Sequence, residues 1–247
     1  MREIDVALLS RELDAVHGKG HLAVVIDVLR ASTTMVTALE NGADRIIPLK
    51  CIDEARARRA EKPHFLLGGE RDAKRPKDFD LGNSPLEYCK RKVEGKSIIM
   101  TTTNGTAAIE AASRAGADTI IVGALLNRSA VVEYCRGRQE SVLLVCAGTR
   151  GRFSLEDAVC AGAIIKGLGS HTQLSDAARV CLTLYEAFGK NSLTNEIMAS
   201  RHGRYLQEIG YGKDIEFATR MDRSPIVPLY HEGEIRALET AAVEAKI

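Results

Sequence analysis

The sequence predicts an α/β fold with three layers, α/β/α. A mostly parallel sheet with room for mixed pairing is followed by a helical C-terminal section. Three observations predict this. Short β-branched apolar runs alternate with longer helical patterns. Several runs are apolar at every position, as strands covered on both faces are. Polar clusters recur at one end of the runs, where a parallel sheet gathers its ligands.

The runs Val6–Leu9, Leu22–Leu29, Arg45–Leu49, His64–Leu67, Ser97–Thr101, Thr119–Val122 and Ser141–Val145 read as strands. Between them, Thr33–Asn41, Ile52–Ala60, Pro85–Lys92, Gly105–Ala115, Ser129–Arg136 and Ser154–Leu168 carry helical patterns. From about 154 to 209 the pattern is almost wholly helical, continuing through Asp176–Phe188, Asn191–Ala199 and Ser200–Ile209. Ile226–Tyr230, after Pro225, reads as a late edge strand. No repeat or linker interrupts the chain, so residues 1–247 read as a single domain. The polar stretch Gly68–Pro85 is long for a connection in a compact domain, and such loops usually serve function.

Bulk properties exclude several classes. Apolar residues make up 45% of the 247 and charged residues 27%, as in an ordinary soluble globular protein. A net charge of +1 gives no global field for nucleic acid or membrane. The absence of Trp, with only 4% aromatics, weighs against base stacking as a binding mode. No apolar stretch reaches the roughly 18 residues of a membrane span. The start, Met1-Arg2-Glu3-Ile4-Asp5, lacks the pattern of a signal peptide. The six cysteines form no C-x-x-C pair, so free thiols in a reducing cytoplasm are expected. The histidines, including His171 and His202, show no metal-ligand spacing and read as surface or core residues.

Chemistry concentrates at four strand ends. The first is the most informative: Asp27 follows Val24-Val25-Ile26 and precedes Arg30, Ser32 and Thr33. A carboxylate there costs several kcal/mol to bury unless it is paired or bound to a metal. The second is Gly68-Gly69-Glu70-Arg71, in which Arg71 offers a bidentate grip on an anion and Glu70 an acid, base or metal role. The alternative is a loop ion pair of about 0–1 kcal/mol. The third, Thr101-Thr102-Thr103-Asn104-Gly105-Thr106, runs into an Ala-rich helix and reads as an anion cradle, or else as an ordinary N-cap. The fourth is Cys146-Ala147-Gly148, then Arg150, Arg152 and Ser154-Leu155-Glu156-Asp157. Asp157 suits a capping box with Ser154, whereas Glu156 lacks that explanation. Asp27 with Glu156 or Asp157 would suit Mg²⁺, which takes one or two carboxylates and keeps waters. Asn83 belongs to a turn that could still face the cleft, and Arg30 either binds substrate or neutralises Asp27. Cys146 reads chiefly as a packed thiol, with a nucleophile as the alternative.

Together these strings resemble the 2-phosphosulfolactate phosphatase (ComB-like) family. The resemblance rests on Ile26-Asp27-Val28-Leu29-Arg30-Ala31-Ser32-Thr33, Leu67-Gly68-Gly69-Glu70-Arg71 and Phe79-Asp80-Leu81-Gly82-Asn83-Ser84-Pro85. Thr102-Thr103-Asn104-Gly105-Thr106 and Cys146-Ala147-Gly148 with Phe153-Ser154-Leu155-Glu156-Asp157 complete it. It implies a Mg²⁺-dependent hydrolysis of 2-phospho-3-sulfolactate to sulfolactate and phosphate, a step in coenzyme M biosynthesis. A related small anionic phosphate ester stays open as substrate.

On that reading Asp27 and Glu156 or Asp157 hold the ion, with Asp27 itself a second candidate for nucleophile beside water. Arg30 and the Thr102–Gly105 segment hold the phosphoryl group. Arg71, with Arg128 or Arg150, binds the remaining anionic groups, and Asn83 and Cys146 complete the substrate-binding set. Glu70 protonates the leaving group or adds a metal contact. Haloacid-dehalogenase-like phosphatases carry Asp-x-Asp after their first strand; here Leu29 replaces the second acid. The rivals are a non-catalytic phosphate-ligand binding protein on the same scaffold and a hydrolase using Cys146. The oligomeric state is left open, a homo-oligomer included.

Overall fold

The computed structural model describes residues 3–15, 17–169 and 173–238. The ends of the expected domain, Val16, and the 170–172 stretch that contains His171 lie outside the described residues. Ten strands form one sheet: β1 (Glu3–Ala7), β2 (His21–Ile26), β3 (Arg45–Leu49), β4 (Leu66–Gly69), β5 (Ser97–Thr101), β6 (Thr119–Gly123), β7 (Ser141–Cys146), β8 (Gln173–Leu174), β9 (Pro228–His231) and β10 (Glu234–Ala237). The helices are α1 (Ala31–Glu40), α2 (Ile52–Glu61), α3 (Lys90–Val93), α4 (Gly105–Arg114), α5 (Arg128–Arg136), α6 (Leu155–Leu168), α7 (Asp176–Ala199), α8 (Arg201–Glu208) and α9 (Gly212–Ala218).

The sheet order is β4-β5-β3-β10-β9-β6-β2-β7-β1-β8. Two parallel blocks, β4-β5-β3 and β6-β2-β7-β1-β8, are joined by an antiparallel hairpin, β9–β10. The central strand shows why its run is apolar throughout. Leu22, Val24 and Ile26 pack under α5–α9, while Ala23 and Val25 pack under α1 and α4 on the other face. Both faces are therefore covered, giving the expected three layers. A smaller core joins α2 to β3, β4 and β5 through Ala55, Ile47, Leu67 and Ile99.

Three expectations need correcting. The late strand is not at an edge: β9 lies inside the sheet, pairing with β6 through Ile120–Tyr230, and continues into β10, which the sequence reading missed. The turn between them, Glu232-Gly233, has φ of 48° and 84°, the left-handed pair of a two-residue hairpin, without the familiar Asn-Gly signal. Pro228 is tolerated because it begins the strand. Pro85–Lys92 is not one helix but a 3-10 turn at Pro85–Glu87 and the single turn α3. The Tyr88 side chain is fully buried between them, and its hydroxyl donates to the Gly82 carbonyl at 2.7 Å. Strand β2 stops at Ile26, so Asp27 sits on the turn beyond it rather than in the strand. The short β8 and helix α9 had no recognised signal. The predicted break between Asp176–Phe188 and Asn191–Ala199 is present as Gly189, at φ 63° and ψ 166° inside α7.

The loop after β4 depends on Gly69. Its φ is 126°, and a Cβ there would lie 1.8 Å from the Thr101 carbonyl oxygen. Gly69→Ala is expected to cost more than about 1 kcal/mol. The midpoint of urea denaturation reads this, and an unchanged midpoint would show that the loop can relax without loss.

Candidate active site

The carboxyl ends of β2, β4, β5 and β7 converge as expected. They enclose a small cavity of about 50 Å³. Asp27, Arg30, Glu70, Asn83, Thr103 and Asn104 line it. Thr149, Arg150, His202, Tyr205 and Asp72 complete much of the wall. Arg71, Thr102, Cys146, Glu156 and Asp157 do not line it.

Every buried acid among the described residues belongs to this region: Asp27, Glu70, Glu156, Asp157 and Asp214. Four of them have two polar partners each. Asp157 accepts from the backbone N–H of Val28 at 2.9 Å and of Gly148 at 3.1 Å, joining the β2 and β7 turns. Burial pushes its carboxyl up, reinforced by Asp27 and Glu156 and opposed by those two N–H groups. Glu70 accepts from the N–H of Thr103 at 2.7 Å and of Ala73 at 2.6 Å. Glu156 Oε1 lies 3.0 Å from His202 Nδ1, and the Ser200 hydroxyl donates to its other oxygen at 3.5 Å. Asp214 accepts from Arg30 at 2.8 Å and from the Ser84 hydroxyl at 2.7 Å.

Asp27 is the fifth, and its carboxylate accepts one N–H, from Ala31 at 3.3 Å. Burial, with Glu70 and Glu156 nearby, pushes its carboxyl up to about 6, against the pull of His202 and the Ala31 N–H. Gly105 fits beneath it. A Cβ there would lie 2.9 Å from Asp27 Oδ2 and 2.6 Å from the Ala31 Cβ, so the starts of α1 and α4 meet around this one carboxylate.

The arginines are placed differently from the expectation. Arg30 lines the cavity but is committed: it pairs with Asp214, donates to the Ala73 carbonyl at 2.8 Å and lies 4.0 Å over the Tyr211 ring. It neutralises Asp214 rather than Asp27. Arg71 turns to the strand ends, donating to the carbonyls of Glu70 and Lys50 and to the Thr101 hydroxyl, so it offers no fork to a ligand in the cavity. Arg128 pairs with Asp222 away from the cavity. Arg150 does reach the wall, paired with Asp72 at 2.7 Å, and its N–H donates to Asn104 Oδ1 at 3.1 Å.

The cradle is partly filled from within. The Thr103 amide holds Glu70, and the Thr102 hydroxyl accepts from the Thr106 N–H at 3.1 Å as a cap. Cys146 is 1% exposed at the end of β7, and burial pushes its thiol well above the ordinary range, the reverse of a nucleophile's requirement. No disulfide joins any of the six cysteines, all of which lie among the described residues, and two of them, Cys51 and Cys89, are exposed rather than packed.

Sequence reasoning missed His202. It reaches the cavity from the start of α8, with Nδ1 bound to Glu156 and the Thr149 hydroxyl at 3.4 Å. With Nδ1 so engaged, Nε2 is the nitrogen left for a ligand. Ser200-Arg201-His202-Gly203 carries only a helix-start signal, and the 46 residues separating His202 from Glu156 hide the pairing.

A magnesium ion can be tested against these residues. Among the described residues, no three His, Cys, Asp or Glu side chains are arranged to hold a metal unaided. Mg²⁺ does not need such a cage, because one or two protein oxygens, waters and a substrate phosphate suffice. Two oxygens fit that mode: the weakly compensated Asp27 carboxylate and Asn83 Oδ1, a buried atom on the cavity wall with no hydrogen-bond partner. Glu156 and Asp157 fit less well than expected, since their oxygens already serve His202, Ser200 and two backbone amides.

The Arg30–Asp214 pair is 2% and 3% exposed, so removing one partner leaves a buried uncompensated charge. Asp214→Ala is expected to destabilise the fold by about 3–5 kcal/mol. Chemical denaturation checks this; a loss under about 1 kcal/mol would mean that water reaches Arg30.

The profile of the 2-phosphosulpholactate phosphatase family matches residues 9–233. A Thermotoga petrophila protein described as "Probable 2-phosphosulfolactate phosphatase" is 50% identical over 211 residues, 85% of this chain and 89% of its own length. Proteins with the same description are 41% identical in Symbiobacterium thermophilum, over 89% of this chain and 95% of theirs, and 37% identical in Clostridium perfringens, over 99% and 100%. Among the described residues, no helix is long and apolar enough to cross a membrane. The five strings of the resemblance, the strand-end cavity they build and these matches agree: the chain belongs to the 2-phosphosulfolactate phosphatase family, a family of phosphoric monoester hydrolases.

Proposed function

We propose that this protein is a Mg²⁺-dependent phosphatase that hydrolyses 2-phospho-3-sulfolactate to sulfolactate and phosphate, as in coenzyme M biosynthesis. The observation that carries this reading is Asp27: of the five buried acids it alone is left nearly without donors, and it faces the cavity. A protein built only to bind a phosphate ligand gains nothing from such a carboxylate, which repels phosphate unless a cation lies between them. Burial of Cys146 removes support from the thiol mechanism.

Asp27 and Asn83 Oδ1 would hold the ion. Bound there, Mg²⁺ would supply Lewis-acid stabilisation of the phosphoryl oxygens and a more acidic water. The start of α4 at Asn104–Gly105 directs its positive dipole end at the same phosphoryl group. Water attacks phosphorus, the bond between phosphorus and the C2 oxygen breaks, the leaving alkoxide takes its proton from His202 Nε2, and the proton that the water carries onto the phosphate restores Nε2. Glu156 fixes the orientation of the imidazole through Nδ1. Glu70, expected as an acid, accepts two N–H bonds and acts as the clamp between the β4 and β5 loops.

Release of inorganic phosphate from 2-phospho-3-sulfolactate tests the reading. Turnover should require Mg²⁺, vanish with EDTA and return when the ion is restored. Failure to release phosphate from this or any small phosphate ester in Mg²⁺ would overturn it.

The fate of Asp27 gives a second test. Its carboxyl is raised from an ordinary 3.8 to about 6, so the folded state keeps a proton that the unfolded chain loses. In EDTA, the contribution of Asp27 to stability should therefore be fully present below about pH 4 and be lost as pH rises through about 6. The loss amounts to roughly 3 kcal/mol, at about 1.4 kcal/mol for each tenfold difference in proton affinity between the folded and unfolded chain. Asp27→Asn should be more stable than the parent at pH 7.5 in EDTA, match it near pH 4, gain nothing from Mg²⁺ and lack activity. Thermal melts and phosphate release read all four, and retained activity would reduce Asp27 to a structural role.

A further inference from the structure

Beside the reaction cavity lies a chamber of about 550 Å³ between the start of α6 and the start of α8. Its size is that of an ordinary small-molecule pocket, whereas the reaction cavity has room for little more than a phosphoryl group. The two adjoin, because Thr149, Arg150, His202 and Tyr205 line both. A ligand whose phosphoryl group sits against Asp27 therefore has the chamber on the far side of His202 within its neighbourhood.

The chamber's charge is opposite in kind to the cavity's. Arg150, Arg152 and Arg201 all line it. Its one acid, Glu156, is buried and bound to His202 and Ser200. Arg152 and Arg201 are exposed, in contrast to the committed Arg30 and Arg71. Arg152 is held at its backbone by reciprocal N–H to carbonyl bonds with Thr149, at 2.9 and 3.1 Å. Phe153, half exposed, adds an apolar surface on the same wall.

We propose that this chamber binds the anionic groups of the substrate other than the phosphoryl group, and that Arg152 and Arg201 select phosphate monoesters carrying a carboxylate or sulfonate. The proposal rests on the phosphatase reading for the placement of the phosphoryl group, but binding tests it independently of turnover. Arginine is suited to the task because its fork meets both planar carboxylate and sulfonate oxygens. The assignment moves substrate selection from Arg30 and Arg71, at the strand ends, to a loop and a helix start in the second half of the chain.

The test is calorimetric titration of the full chain in Mg²⁺ with two probes, sulfolactate and lactate. The parent should bind sulfolactate more tightly than lactate. Arg152→Gln and Arg201→Gln should each weaken sulfolactate binding by about tenfold or more, and the double variant should abolish the preference. Both side chains are exposed, so folding is expected to survive, and Arg152→Lys and Arg201→Lys keep the charge as controls with intermediate affinity. Absence of sulfolactate binding by the parent, or equal binding by parent and double variant, would overturn the proposal. Phosphate release measured on the same samples reports the phosphatase reading separately: turnover with unaltered binding in the variants would keep that reading and discard this one.

Discussion

Five carboxylates buried at one end of one sheet set the terms for the rest of the structure. Among the described residues, Arg30 alone is buried with them as a permanent cation, with His202 at the margin. Each unpaired charge in such a place costs several kcal/mol. The fold meets this demand acid by acid, with two backbone amides for Asp157, two for Glu70, an imidazole for Glu156, and a guanidinium with a hydroxyl for Asp214. Asp27 receives one long N–H bond. The unevenness sets Asp27 apart from the other four, since a carboxylate fully satisfied by the protein has little left to offer a ligand.

The same bonds hold the loops. Asp157 fastens the turn after β2 to the turn after β7. Glu70 fastens the loop after β4 to the start of α4. Asp214, carried by α9, secures Arg30 and Ser84, and the His202–Glu156 contact joins α8 to α6. The helical C-terminal section is thus part of the site rather than a covering for it. Four strand ends converge by topology alone, but their loops keep one arrangement because acids from distant segments bridge them.

That division explains what the sequence made legible. Alternating runs and helices reveal the parallel blocks because the periodicity is local, and polar clusters at strand ends reveal the cavity because a parallel sheet collects them on one side. Asp27 was conspicuous for the same reason: one acid broke an apolar run. Partnerships were not legible. Arg30 lies 184 residues from Asp214 and His202 lies 46 from Glu156, and no spacing rule reaches that far. Arg30 and Arg71 looked like anion grips because arginine beside a strand end usually is one; whether its fork is already filled by carbonyls and carboxylates is visible only in three dimensions. The β9–β10 hairpin was misread as an edge because a short apolar run states that it pairs, not with what. Its insertion between β3 and β6 closes a gap that two parallel blocks leave.

The layout also bears on how a polyanion enters an acidic pocket. The cavity is lined by Asp27, Glu70 and Asp72, with Arg30 and Arg150 already paired to Asp214 and Asp72, so the charge left over repels phosphate, while the adjoining chamber is lined by Arg150, Arg152 and Arg201, which attract it. Without a cation, a multiply charged ester would favour the chamber with any of its anionic groups, and the phosphoryl group would have no preference for the reaction cavity. On the proposed reading, a cation held at Asp27 would reverse the sign at one end only. The ester would then have two attractive regions of different geometry, a compact one suited to a tetrahedral phosphoryl group and a broad one suited to carboxylate or sulfonate. Orientation would follow from that asymmetry, with His202 lining both regions and so placed beside the bond between them.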